Sequence, residues 1–202
     1  VVLQPDGPFA LCAPRGSRLP SRMIAYAAER LSAQPHTSVY IDAGASDWPK
    51  DDPQTAATIL ERAGVEHARG FALNATHYTS TAENIRHGAA VVEELARRGI
   101  PGRHFVISTA ENGRPFHFDD YKGSHPNNAK VCATKRERRC VTLGIPPTTR
   151  VAARRWGLPD AARDLAREHV DAYLWFGKPW LVRQTSPFSM RRALGMARTT
   201  PY

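Results

Sequence analysis

Five short apolar runs in this sequence each end in residues that could touch a ligand. VVLQ (Val1–Gln4) leads to Asp6, SVYID (Ser38–Asp42) ends in Asp42 with Trp48 six residues on, and GFALN (Gly70–Asn74) ends in Asn74. HFVIS (His104–Ser108) leads to Glu111 and Asn112, and AYLWF (Ala172–Phe176) leads to Lys178. Carboxylates, carboxamides and an ammonium exchange hydrogen bonds with hydroxyl groups, and a carboxyl can also carry a proton in general acid–base chemistry. A tryptophan beside alanine and glycine offers a flat face and room for a ring to stack on it. The same residues have plainer uses, because an aspartate or asparagine at a strand end can cap the following turn and a tryptophan can pack a loop. His77 and Tyr78, which follow Asn74, read as surface and packing residues. Cys132 and Cys140 bracket a polar loop; zinc would need more ligands at closer spacing. A local disulfide, and with it an oxidising compartment, is the expectation. No metal and no cofactor are expected.

These residues need elements to hold them. The first four runs start at Val1, Ser38, Gly70 and His104, so they recur every 32 to 37 residues, and each is nearly continuous in apolar residues, as in strands covered on both faces. Helical patterns lie between them at Pro20–Ala33, Pro53–Gly64 and Thr81–Gly99, the last placing Ile85, Ala89, Val92, Leu95 and Ala96 on one face. Alternation of this kind predicts an α/β fold of parallel strands with flanking helices, whose ligand sites lie past the carboxyl ends of the strands. From Gly113 to Thr149 the pattern dissolves into a polar loop, and a last helix is predicted near Ser189–Thr199.

Composition narrows the function classes. The 202 residues, 42% hydrophobic, support one core, so residues 1–202 are read as a single domain. No run of about eighteen apolar residues occurs, which argues against a membrane span, and no secretory leader opens the chain. The start at VVLQPD, inside an apparent strand, reads as a truncated or processed beginning. Lysine and arginine outnumber aspartate and glutamate by 28 to 19 for a net charge of +9, with a dense basic patch at KVCATKRERRC (Lys130–Cys140). A basic nucleic-acid-binding protein is therefore one alternative, although no recognition-helix, zinc-finger or RNA-binding signature accompanies the charge and no nucleic-acid partner is expected.

Taken in order, the strand ends resemble glycoside hydrolase family 6, the cellobiohydrolases and endoglucanases, in its mycobacterial and actinobacterial cellulase-like branch. VVLQPDG is similar to that family's L-E-P-D strand, YIDAGASDW to Y-x-D-A-G-H-x-x-W, and GFALNATHY to G-F-A-x-N-x-x-x-Y. ENIRHGAAVVEEL and HFVISTAENG resemble E-N-x-x-Y-G and F-V-I-D-T-S-R-N-G, and LGIPPTT with VDAYLWFGKP resembles L-G-x-x-P-T-T followed by V-D-A-F-L-W-x-K-x-P. The resemblance implies a partial distorted (β/α) barrel forming the C-terminal part of a catalytic domain. It also implies inverting hydrolysis of β-1,4-glucan, cellulose or a cello-oligosaccharide as ligand, and a secreted or cell-envelope location. Asp6, Asp42, Trp48, Asn74, Asn112 and Lys178 are the substrate-binding candidates.

The sequence also departs from the family. The segment bearing the family's general acid precedes the L-E-P-D strand and has no counterpart here, so another chain or segment is expected to complete the barrel. Aligning the last motif places Arg183, or with a longer loop Ser186, at the position of the family's base aspartate. Ala45 replaces a histidine, Ser108 an aspartate and Glu111 an arginine, which leaves Glu111 as a candidate replacement carboxylate. Arg139 takes the place of the tryptophan before the family's loop cysteine, here Cys140, whose usual partner is also missing. That favours pairing with Cys132. A carbohydrate-binding remnant without catalysis is the second alternative.

Overall fold

A computed structural model describes residues 1–3, 7–49, 52–123, 127, 129–177, 179–181 and 187–202. Five strands, β1 (Val2–Leu3), β2 (Tyr40–Asp42), β3 (Gly70–Leu73), β4 (His104–Ser108) and β5 (Val170–Leu174), form one sheet. Every pair is parallel and the spatial order follows the chain order. Between them run α1 (Leu19–Ser32), α2 (Pro53–Arg62), α3 (Thr81–Arg97) and α4 (Asp160–His169), and α5 (Met190–Thr199) follows β5.

Local chemistry explains the helix boundaries. Asp52 accepts the Gln54 N–H at 3.0 Å ahead of Pro53, which opens α2 without a donor to lose. Ser80 and Glu83 form a reciprocal box at the start of α3, with Glu83 N–H to Ser80 Oγ at 3.2 Å and Ser80 N–H to Glu83 Oε2 at 2.9 Å. Gly99 ends that helix with φ +83°. The buried face of α3 comprises Ile85, Gly88, Val91, Val92 and Leu95, while Ala96 is exposed. Periodicity alone had turned the stripe toward Ala89 and Ala96. Gly88 packs so closely against β4 that a β-carbon there would meet the Phe105 ring at 2.4 Å, which is why this buried position needs glycine.

Strand order without reversal puts the two sheet faces to different uses. On one, Ile41, Phe71, Leu73, Phe105, Ile107 and Tyr173 join the helices in the main core. On the other, Tyr40, Ala72 and Val106 form a separate cluster with half-buried Val2, Ala172, Leu174 and Phe176, and no helix contributes. The crossover helices therefore pack on one face of the sheet.

The observed β5 starts two residues before the predicted run AYLWF. A register shift between Phe105 and Val106 pairs Phe105 with Val170 and Val106 with Ala172, so Asp171 is the extra residue of a bulge. Its carboxylate gathers the amino ends of the other strands: Arg69 donates to it at 2.8 and 2.9 Å, Tyr40 Oη at 2.7 Å, and His104 Nδ1 lies 3.2 Å away. Burial by itself would raise the Asp171 carboxyl, but the hydrogen bonds from Arg69 and Tyr40 outweigh it and hold it below the usual carboxylate range.

Asp171→Asn keeps the shape and removes the charge that Arg69 meets, so a loss of about 1–3 kcal/mol at neutral pH is expected. Because the folded pKa is depressed, this stability is present above the unfolded value of about 3.9 and disappears as pH falls through the folded one. Urea unfolding of both proteins from pH 7 down to pH 3 checks this; a gap that stays constant across that range contradicts it.

Candidate active site

The parallel order brings the carboxyl ends of all five strands to one end of the sheet, and most of the predicted site residues that fall among the described residues lie there. Asp42 ends β2 and is 1% exposed. Its Oδ1 accepts the Gly44 N–H at 3.4 Å and its Oδ2 the Gly7 N–H at 3.3 Å. The carboxylate thereby caps its own turn and also clamps the 3-10 segment Gly7–Cys12 that follows β1. Gly7 has to be glycine, since a β-carbon would lie 2.2 Å from the Asp42 carbonyl oxygen.

Asn74 and Asn112 are buried and engaged with backbone. Asn74 sits at φ +66° and donates to the Ser108 carbonyl at 3.0 Å, while its Oδ1 accepts from Thr79 Oγ1 at 3.2 Å. Asn112 Nδ2 donates to the Thr79 carbonyl at 2.9 Å and to Thr81 Oγ1 at 3.3 Å. Asn84, from α3, reaches the same Thr79 hydroxyl at 2.8 Å and accepts the Ser46 N–H at 3.1 Å. Three carboxamides therefore fix the loops after β2, β3 and β4 to one another through Thr79. Ser108 spends its hydroxyl on the Phe176 carbonyl at 2.8 Å.

Above this floor runs a row of rings. Phe9 lies 5.2 Å from Trp48, Trp48 stacks on His77 at 5.8 Å, and His77 stacks on Phe118 at 4.9 Å. His77, read from sequence as a surface residue, is only 12% exposed in its side chain, and its Nδ1 is 2.7 Å from Asp47 Oδ1. Asp47 Oδ2 accepts the Phe118 N–H at 2.9 Å. Burial would raise the Asp47 carboxyl, but His77 and that N–H more than offset it and keep it below the ordinary range. The pair ties the loop after β2 to the loop after β3 and to the long polar loop. The Asp-Trp dipeptide at 47–48 and the histidine three residues past Asn74 were the signals available in the sequence.

Glu111 faces Arg192 of α5, with Oε1 and Nη2 at 3.2 Å and side-chain exposures of 13% and 11%. Arg192 also donates to the carbonyls of Ala129 and Pro179 at 3.1 and 2.5 Å. Burial pushes the Glu111 carboxyl upward, and Arg192 only partly counters it. Cys132 and Cys140 form the expected disulfide. Asp6, Lys178, Arg183 and Ser186 lie outside the described residues. Among the described residues no group of three or more histidine, cysteine, aspartate or glutamate side chains could hold a metal ion.

The profile of glycosyl hydrolases family 6 matches residues 9–179 of this chain. The chain belongs to that family. Endoglucanase 1 of Streptomyces halstedii is 39% identical over 116 residues, which make up 56% of this chain and 36% of that protein. Endoglucanase A of Cellulomonas fimi is 36% identical over 115 residues, 56% of this chain and 23% of that protein. Among solved structures, the endoglucanase Cel6 of Mycobacterium tuberculosis, in complex with methyl-cellobiosyl-4-deoxy-4-thio-β-D-cellobioside, superposes with a TM-score of 0.73 at 27% identity. That superposition covers 96% of this chain and 59% of the other. A family 6 enzyme of Orpinomyces gives a TM-score of 0.72 at 19% identity over 99% of this chain, which shows the fold. The five parallel strands and flanking helices are those of the distorted barrel of family 6 cellulases. The chain spans about a quarter to a third of the length of these curated relatives.

Glu111 follows β4, and a basic residue from α5 meets it, so its charge is paired. Arg192→Ala would leave a buried carboxylate without its cation, at an expected cost of about 3 kcal/mol at pH 7. Since burial raises the Glu111 pKa, the carboxylate is less favoured in the folded protein than in the unfolded chain, and the cost shrinks as pH falls toward 4. Adding Glu111→Gln should recover part of it. Thermal unfolding at both pH values, with the double variant, provides the check; additive losses that ignore pH would show that the two side chains do not act as a pair.

Proposed function

We propose that this chain supplies the glucan-holding wall of an inverting glycoside hydrolase that acts on β-1,4-glucan, and that its 202 residues bind glucan without hydrolysing it. The observation that carries this reading is the row Phe9, Trp48, His77 and Phe118 lying over the carboxyl ends of the strands. Phe9 is 59% exposed beside a half-buried Trp48, so a ring surface faces outward where a pyranose could stack. The Mycobacterium tuberculosis relative with a cellobioside analogue bound supports a cello-oligosaccharide as ligand.

Inversion needs one carboxyl to protonate the leaving oxygen and a second, about 6.5–9.5 Å away, to activate water. The carboxylates of the described site are otherwise occupied: Asp42 holds two backbone amides, Asp47 holds His77 and the Phe118 N–H, and Glu111 holds Arg192. Burial raises the Glu111 pKa, as a general acid requires, whereas that of Asp47 is lowered, and Glu111 is the residue to test for turnover. The disulfide between Cys132 and Cys140 fits a secreted or cell-envelope protein.

Titration calorimetry of the folded chain with cellohexaose is expected to give binding that Trp48→Ala weakens by at least about tenfold, equal to about 1.4 kcal/mol. Trp48→Phe, which keeps a ring, should retain most of it. An unaltered affinity in a folded Trp48→Ala protein would remove Trp48 from the site. Reducing-end release that Glu111→Gln abolishes would overturn binding without turnover and make Glu111 catalytic.

A further inference from the structure

The long polar loop and α5 enclose a cleft of about 590 Å³. Lys130, Arg191, Arg192 and Arg198 line it together with Ser189 and Cys132. Arg192 is committed to Glu111, and Lys130 pairs with Glu137. Arg191 and Arg198 are exposed, and among the described residues neither has an acidic partner. Beyond the cleft's own lining, the loop closed by the Cys132–Cys140 disulfide carries exposed Lys135, Arg136, Arg138 and Arg139 against the single Glu137, with Arg138 and Arg139 turned to a neighbouring pocket that also holds Glu83 and Asp120. No acid lies in α5, whose amino end, capped by Ser189, opens on the same cleft and adds its own partial positive charge.

A neutral glucan gains nothing from this concentration of cations, and self-repulsion makes it costly to maintain. The cleft adjoins the candidate site, because Arg192 lines one and pairs with Glu111 at the edge of the other. Guanidinium groups match carboxylates with two parallel hydrogen bonds, a fit that a neutral hydroxyl does not offer. Among the described residues no aromatic side chain lines the cleft, so they offer no stacking platform of the kind on which single-stranded nucleic acid depends.

We infer that the cleft between α5 and the disulfide loop is a subsite for an anionic polysaccharide, and that the glycan held by this chain carries acidic groups. This rests on the glucan-binding reading above. The test compares binding of the folded chain, by affinity electrophoresis, to carboxymethylcellulose, to hydroxyethylcellulose of matched length and to single-stranded DNA, at about 50 mM and about 300 mM salt. The charged glucan is expected to bind at least about tenfold more tightly than the neutral one at low salt, and to lose that advantage at high salt. Arg191→Ala with Arg198→Ala should abolish the preference and leave neutral-glucan binding intact; both side chains are exposed, so the fold should survive, which circular dichroism verifies. Equal affinity for the two glucans, or a preference indifferent to the double variant, overturns the inference while the glucan reading stands. Failure to bind either glucan in a folded chain removes both. DNA bound more tightly than carboxymethylcellulose overturns the glycan assignment in favour of nucleic acid.

Discussion

Parallel pairing in chain order is the constraint on which the rest of this structure depends. A parallel neighbour can be reached only by a crossover, and when each strand joins the previous one on the same side, every crossover lies behind the same face. Two surfaces of the protein follow from this. The front of the sheet carries Tyr40, Ala72, Val106 and their half-buried neighbours. The carboxyl ends present loops that start from nearly one plane, so short side chains can connect them. Thr79 meets Asn74, Asn84 and Asn112 in this way, each from a different element.

The opposite end of the sheet is fastened by a different device. At the amino ends a single carboxylate, displaced from the ladder by a bulge, collects a tyrosine from β2, a histidine from β4 and the arginine just before β3. Gly70 permits the tight approach of β3 to β4 just there, since any β-carbon would sit 1.7 Å from the His104 carbonyl oxygen. The two ends differ in kind: the amino ends carry this ion cluster, and the carboxyl ends carry the amide network together with Asp42 and the Asp47–His77 and Glu111–Arg192 pairs. The ion cluster is partly solvated, whereas the amide network is buried, where uncompensated charge would be costly.

Sequence reasoning reached the elements whose pattern is strong. Runs such as GFAL and HFVIS are apolar on both faces, and capping residues mark α2 and α3, so those segments were legible to within a few residues. It missed α4, because DAARDLAREH buries little more than Ala162 and Ala166, which carry almost no hydrophobic signal. It displaced β5 because a bulge is a property of two strands together. Asp42, Trp48, Asn74 and Asn112 could be picked out from their places past strand ends, but the partners of the two asparagines could not: the Ser108 and Thr79 carbonyls and the Thr79 and Thr81 hydroxyls come from segments five to more than thirty residues away. The pairing of Asp47 with His77, and of Glu111 with Arg192, spans 30 and 81 residues and leaves no local trace.

The long loop resolves the remaining puzzle of how a polar segment can be ordered enough to carry function. Its order comes from a second small core, in which Tyr78, Phe116, Ala129, Val141 and Met196 pack together. Thr142 anchors α5 by donating to the Met196 carbonyl at 2.7 Å and lying 2.8 Å from the Thr199 hydroxyl. The disulfide then closes a loop too short and too charged to bury anything, so a covalent link replaces a core. A segment held in this way can afford the arginines that a packed element could not, since its stability comes from the cluster beneath and the bond across it. The basic cleft and the ring row both draw on that second core, the one through Met196 of α5 and the other through Phe118, while Trp48 and His77 sit on loops of the main sheet. Arg192, which lines the cleft and pairs with Glu111, connects the cleft to the loop after β4.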